Sequence, residues 1–170
     1  YKVIRQTLFF PDLPDAFDGT TITHISDVHS GSFFNPQKLQ KAIDLINEQD
    51  TDVVLFTGDM VNNYADEFKP FIPLFKSIIA KDGKFSILGN HDYGEYIQWK
   101  TQKEKDDNFR DIKALYGNIG FDLMLNEHKY IQKGNDKIAL VGVENWGLKF
   151  KKAGDLNKAS QGLSKEEFKI

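Results

Sequence analysis

Three short apolar runs in this chain end in the same kind of chemistry at nearly equal intervals, and that spacing constrains the fold more than any other feature. Residues 21–26 lead into Asp27-Val28-His29, residues 53–57 into Gly58-Asp59-Met60-Val61-Asn62, and residues 84–88 into Gly89-Asn90-His91-Asp92. Asp59 follows Asp27 by 32 positions and Asn90 follows Asp59 by 31 (59 − 27 and 90 − 59). A strand, a crossover helix and a second parallel strand take about 30 residues. The spacing predicts an α/β fold in which three parallel neighbours bring their C-terminal ends to one edge, where open α/β sheets place ligands.

The intervening stretches supply the crossovers. Asn35-Pro36 reads as an N-cap followed by proline at the first helical position, and Leu39, Ala42, Ile43 and Ile46 recur at helical spacing. Phe68, Phe71, Phe75, Ile78 and Ile79 mark a second helix over 68–79, with Pro70 and Pro73 in or just before its first turn and Lys81-Asp82-Gly83 stopping it. Residues 93–99 show no period and read as a loop over the ligand edge. Residues 100–115 carry Phe109, Ile112 and Leu115 on one side of a third helix, ended by Gly117. Ahead of the repeat, β-branched and aromatic residues predict a strand over 2–10, closed by Pro11 and Pro14. Beyond it, 122–132 and 137–143 flank Gly134-Asn135-Asp136 as a hairpin, and a short helix is expected over 155–161.

At 170 residues the chain is one domain's worth of protein, and 14 phenylalanines predict a packed core. Its formal charge of −3 gives no pull toward nucleic acid, and none is expected as a partner. With no cysteine, a metal would have to be held by oxygen and imidazole. No apolar run approaches the roughly 18 to 20 residues that span a bilayer, so the chain as given is expected to be soluble, its localisation otherwise open. Its start at Tyr1 suggests a trimmed upstream segment, through which a longer protein could associate with a membrane.

At an extended strand end, residues two apart point the same way, so Asp27 and His29 can share one cation between carboxylate and imidazole. Asp59 has two oxygens and can bridge that cation to a second, for which Asn90 offers a neutral amide oxygen. Gly58 and Gly89 would let backbone approach the metals. Each signal alone is common in loops. Their coincidence at three successive strand ends predicts a metal centre.

In Asp27-Val28-His29, Gly58-Asp59-Met60-Val61-Asn62 and Gly89-Asn90-His91-Asp92 the chain resembles the calcineurin-like metallophosphoesterases, and the resemblance runs on through Gly142-Val143-Glu144. Residues 13–19 and 26–31 are most similar to the bacterial membrane-associated branch with phosphodiesterases and UDP-diacylglucosamine pyrophosphatases. The resemblance implies a sandwich of two mixed β-sheets flanked by helices. It also implies a phosphoester hydrolase with two divalent ions of the Mn, Fe or Zn class. Asp27 and His29 would hold one ion, Asp59 would bridge, and Asn90 would hold the second. His91 would stabilise charge or protonate the leaving oxygen, oriented by Asp92. The implied substrate is a phosphoester small molecule or a lipid-linked nucleotide.

Two departures qualify the resemblance. The protein Ser/Thr phosphatase branch has Asp-Arg where this chain has Asn62-Asn63, and Glu where it has Asp92, which disfavours a protein phosphatase. The family closes its site with later histidines, typically one His and then Gly-His-x-His, yet this chain has only His24, His29, His91 and His128. The expectation is therefore that 1–170 is the N-terminal part of a single metallophosphoesterase domain, incomplete at its C-terminal side. The alternative is a catalytically incompetent fragment or a metal-binding interaction module. Self-association is expected because later sequence would cover one sheet face. His24 reads as partly buried, His128 as solvated, Phe33 and Phe34 as core, Trp99 and Trp146 as core or rim, and the 149–152 lysine cluster as a solvated face.

Overall fold

Along residues 53–56 successive side chains alternate between two cores, and that alternation sets the layers. In the computed structural model, which describes residues 1–147 and 151–170, a parallel sheet is built from β1 (Ile22–Ile25), β2 (Val53–Phe56), β3 (Gly83–Ser86) and β4 (Asp122–Leu123), neighbours in that order. Ile22 stands opposite Val53, and Val53 opposite Gly83. The first three strands are thus in step and end at one edge, as their spacing predicts.

Val54 and Phe56 point into the larger core, where α1 (Pro36–Asn47), α2 (Ile72–Lys76) and α3 (Gln102–Asn118) contribute Leu39, Ile43, Phe75, Ile112, Leu115 and Tyr116. The Phe56 ring meets those of Tyr116 and Phe121 at 5.4 and 5.9 Å, pairs that add about 0.5–1.5 kcal/mol each beyond burial. Val53 and Leu55 point the other way, toward a hairpin of β5 (Glu127–Lys133) and β6 (Asp136–Gly142), whose Ile131, Ile138 and Leu140 pack with Phe17 and Met124. Ala139 also forms an isolated parallel bridge with Lys169; one sheet is thus parallel and the other antiparallel, where two mixed sheets were expected. The helices, the parallel sheet and the hairpin sheet form three layers.

Local chemistry starts the helices where expected. The Asn35 side chain accepts from the Gln37 N–H at 2.9 Å, and Thr101 Oγ1 accepts from the Glu104 N–H at 3.1 Å, each satisfying an orphan amide of a first turn. A final short helix, α4 (Leu156–Ala159), is capped by Asp155.

Several expectations are corrected. Residues 2–10 form no strand: no neighbour offers a ladder, and Ile4 and Phe9 stay 81% and 89% exposed. The helix expected over 68–79 is broken into a 3-10 turn (Lys69–Phe71) and the five residues of α2, because Pro70 and Pro73 each sit at the start of a new turn. Gly117 lies inside α3, and Gly120, at φ 77°, follows its end. Asp122 and Leu123 belong to the parallel sheet, not the hairpin. His24 is exposed on the edge strand, with Nε2 2.7 Å from Thr57 Oγ1, and His128 is half-buried, with Nδ1 2.9 Å from the Ala159 carbonyl. Phe33 is half-buried against the larger core whereas Phe34 is 97% exposed. Trp99 is half-buried and Trp146 exposed; of the lysine cluster, Lys149 lies outside the described residues. The face expected to lie open is covered at β2 and β3 by the hairpin and Phe168. It remains open at β1, where Ile22 is 40% exposed.

Candidate metal centre

Beyond their strands, β1 and β2 stay zipped together. The Thr57 N–H donates to the Ile25 carbonyl at 3.0 Å, Asp27 to Gly58 at 3.1 Å, His29 to Asp59 at 2.9 Å and Ser30 to Met60 at 3.1 Å. Within this zipper the backbone is not extended: Asp27, His29 and Asp59 have φ of 53°, 47° and 54°. Left-handed backbone at a residue with a Cβ costs about 1–2 kcal/mol. Three such residues on adjoining segments mark stored strain of the kind that collects at functional sites. The extended geometry expected for Asp27 and His29 is replaced, yet the groups still meet, with His29 Nε2 3.8 Å from Asp27 Oδ1 and 3.7 Å from Asp59 Oδ2.

The third strand end docks through Asp92, which is fully buried. Its carboxylate accepts the amides of Asp59 (3.0 Å), Met60 (2.9 Å) and Gly89 (2.9 Å) and the Tyr116 hydroxyl (2.9 Å). Burial pushes Asp92 up to about 6, against the opposing pull of the Gly89 amide and the Tyr116 hydroxyl. Burial first, and then the Asp92 charge, raise Tyr116 in turn. Asp92 therefore clamps the ends of β2 and β3 together and does not orient the His91 ring. That ring is held by the Asn62 carbonyl, 2.8 Å from His91 Nδ1, while the His91 N–H donates to Asp59 Oδ1 at 2.8 Å. Gly58 and Gly89 allow the close contact between the two loops.

His29, Asp59 and His91 each bring a ligand atom into one group, all within 4.8 Å of one another. Asp27, Asp59 and Asn90 line a cleft of about 460 Å³ that continues to Ile87, Val143 and Trp146. Side-chain exposure grades from 66% at Asp27 through 30% at His29 to 11% at Asp59, so the group runs from solvent into the protein. Among the described residues, no lysine or arginine pairs with Asp27 or Asp59. Two carboxylates and two imidazoles gathered in this way suit a divalent cation with nitrogen and oxygen ligands.

Several supporting residues left no trace in the sequence pattern. Tyr96, in the loop after His91, accepts from Asn90 Nδ2 at 2.6 Å and stacks on the His91 ring at 4.3 Å. Glu67 accepts the amides of Asn62 and Asn63 at 2.6 and 3.3 Å, fixing the carbonyl-bearing turn. Asn126, at φ 57°, accepts the amides of Glu144 (3.1 Å) and Asp155 (2.8 Å) and donates to Glu144 Oε2 (2.7 Å) and the Ala153 carbonyl (2.9 Å). Glu144 Oε1 accepts the Tyr93 hydroxyl at 2.9 Å, tying the cleft wall to the turn that carries His91. A polar residue in a loop has no periodicity to betray such roles.

Comparison with known proteins agrees with the motifs. The family model for calcineurin-like phosphoesterases matches residues 20–159. The chain is 38% identical over 86 residues to the uncharacterized metallophosphoesterase YkuE of Bacillus subtilis, covering 49% of this chain and 30% of that protein. It is 24% identical over 174 aligned positions to a transmembrane protein with metallophosphoesterase domain of Danio rerio, covering 97% of this chain and 37% of that protein. The UDP-2,3-diacylglucosamine pyrophosphatase LpxG of Chlamydia trachomatis is 33% identical over 100 residues, covering 56% of this chain and 30% of that protein. The chain thus spans about a third of the length of these curated relatives. Among the described residues, no helix is long and apolar enough to cross a membrane.

Proposed function

Because the chain belongs to the calcineurin-like phosphoesterase family, we propose that it carries the metal-binding edge of a phosphoester hydrolase acting on a phosphodiester or pyrophosphate bond. The observation that supports this most is the gathering of His29, Asp59 and His91 within 4.8 Å, with Asp27 and Asn90 lining the adjoining cleft.

In this reading Asp27 and His29 hold one divalent cation of the Mn, Fe or Zn class, Asn90 holds a second, and Asp59 serves both. When bound, such a pair supplies Lewis-acid polarisation of a phosphoryl oxygen and lowers the pKa of water toward neutrality. The protein's own residues do the positioning. A carbonyl oxygen only accepts, so the contact with Asn62 fixes the His91 proton on Nδ1. Nε2 is then the atom that faces chemistry: when protonated it donates to the leaving oxygen, and when neutral it accepts. Asp92 keeps the Asp59 and Asn90 segments in register without touching the reacting groups.

The reading of the substrate class is supported by the cleft, which sets Ile87, Val143, Trp146 and Leu156 beside the charged residues. A phosphoester joined to an apolar group, such as a lipid-linked nucleotide, matches that mixture, and LpxG is named for such a substrate. We further propose that residues 1–170 are the N-terminal part of one metallophosphoesterase domain, with membrane association carried by sequence outside them. The chain at its relatives' length is expected to hydrolyse a chromogenic phosphodiester with Mn²⁺, and to lose that activity on chelation or in Asp59→Ala. The 170-residue chain alone should turn over little, since an incomplete ligand set holds metal poorly. Hydrolysis that persists in chelator, or in Asp59→Ala, would overturn the proposal.

A further inference from the structure

We infer that Tyr96 is a positioning residue of this centre, fixing the Asn90 amide through its hydroxyl and the His91 ring through its face. The inference rests on the metal-centre reading above.

The two ends of an asparagine amide have nearly the same shape, so a partner that holds one end in place also holds the atom at the other. Asn90 Nδ2 donates to the Tyr96 hydroxyl at 2.6 Å, and in that orientation Oδ1 is the atom left for a cation. The same side chain lies on the His91 imidazole at 4.3 Å with 21° between planes, while the His29 ring meets His91 edge-on at 4.6 Å and 88°. With Nδ1 engaged by Asn62, the His91 ring is bounded on a face, at a nitrogen and along its contact with His29. One residue thereby sets the geometry of two adjacent site groups.

The loop holding Tyr96 is itself fastened. Trp99 Nε1 donates to the Gly94 carbonyl at 2.7 Å, and the Trp99 ring packs edge-on against Tyr64 at 5.3 Å. Gly94, at φ 62°, lies so close that an added Cβ would sit 3.0 Å from Trp99 Cζ2. Glu95 pairs with Lys105 of α3 at 2.8 Å. Tyr96 therefore sits between two anchored neighbours, as a positioning residue must.

Loss of such an outer partner typically weakens metal binding about 10–100-fold. The test is a cycle of Mn²⁺ titrations by calorimetry on the 170-residue chain, Tyr96→Phe, Asn90→Ala and the double variant. Tyr96→Phe keeps the ring and removes the hydroxyl. It should bind Mn²⁺ about 10-fold more weakly than wild type and cost nothing further in the Asn90→Ala background. Tyr96→Leu should additionally broaden the His91 imidazole nitrogen resonances of the metal-free chain, which Tyr96→Phe leaves sharp. If Asn90→Ala weakens binding while Tyr96→Phe binds as wild type, or if the two losses simply add, Tyr96 does not act through Asn90 and the inference falls. If Asn90→Ala binds as wild type, the ligand role of Asn90 fails and takes the inference with it.

Discussion

Gly58 and Gly89 lie back to back across the ends of β2 and β3: a Cβ on Gly58 would stand 1.9 Å from the Gly89 amide nitrogen, and one on Gly89 would stand 2.2 Å from Asp59 Oδ1. Gly58 also has φ of 88°. This contact sets Asp59 against the Asn90-His91 turn. Gly58→Ala combines overpacking against backbone with a left-handed penalty, together about 2–5 kcal/mol. Chemical denaturation should show that loss, and a variant as stable as wild type would mean that the loops separate freely.

Asn126 is predicted to govern the opposite wall of the cleft. Asn126→Ala leaves the half-buried amides of Glu144 and Asp155 without their acceptor, at a cost of about 1–3 kcal/mol. Because Asn126 is left-handed, Asn126→Gly should recover about 1 kcal/mol of that loss. Equal stabilities of the two variants would show that backbone strain plays no part.

The C-terminal segment that bridges Ala139 should be sensitive to acid. Glu167 is pulled down to about 2, first by the Tyr130 hydroxyl, then by the Ser164 amide, with Lys137 adding to both. A depressed carboxyl stabilises the folded state above its unfolded value, 4.5 for a glutamate here, and loses that contribution as pH falls from 4.5 toward 2. Amide exchange at Ala139, Val141 and Ile170, whose N–H groups tie the strands, should speed up over that window before the core opens. Glu167→Gln should abolish the pH dependence. Exchange that is flat across it in wild type would refute the assignment.

Self-association is expected through the exposed arm, since the hairpin covers the inner strands. Tyr1, Ile4, Leu8 and Phe9 are 68%, 81%, 65% and 89% exposed. Removing residues 1–9 should leave stability within about 0.5 kcal/mol and lower the apparent mass by light scattering if the chain associates at micromolar concentration. Association unchanged by the deletion would shift the contact to the β1 edge around Ile22.

The legible parts of this fold are those governed by spacing. The intervals between Asp27, Asp59 and Asn90 gave the parallel strands, their order and the shared edge, because a crossover helix has a nearly fixed length. Asn35 and Thr101 mark helix starts through local hydrogen bonds. What escaped depends on partners distant in sequence. Residues 2–10 have strand composition but no neighbouring strand, and His24 sits on an edge that the hairpin does not reach. Pro70 and Pro73 divide a run whose apolar period is intact, so Phe68, Phe71 and Phe75 are buried as expected while the helix is not continuous. At the site, the residue types at positions 27, 29, 59, 90 and 91 were readable. The left-handed backbone of Asp27, His29 and Asp59, the Asp92 clamp and the Tyr96 contacts arise only when three loops meet.

Thermal unfolding with and without Mn²⁺ asks whether these loops would hold divalent metal through Asp59, as proposed above. A ligand that binds only the folded state at 100 times its dissociation constant adds about 2.7 kcal/mol of stability. Wild type should show a saturable, chelator-reversible rise in its unfolding temperature with Mn²⁺. Asp59→Ala should show none, while Asp27→Ala, His29→Ala and Asn90→Ala each retain part of it. An identical rise in wild type and Asp59→Ala, with equal metal content by elemental analysis, would contradict the assignment.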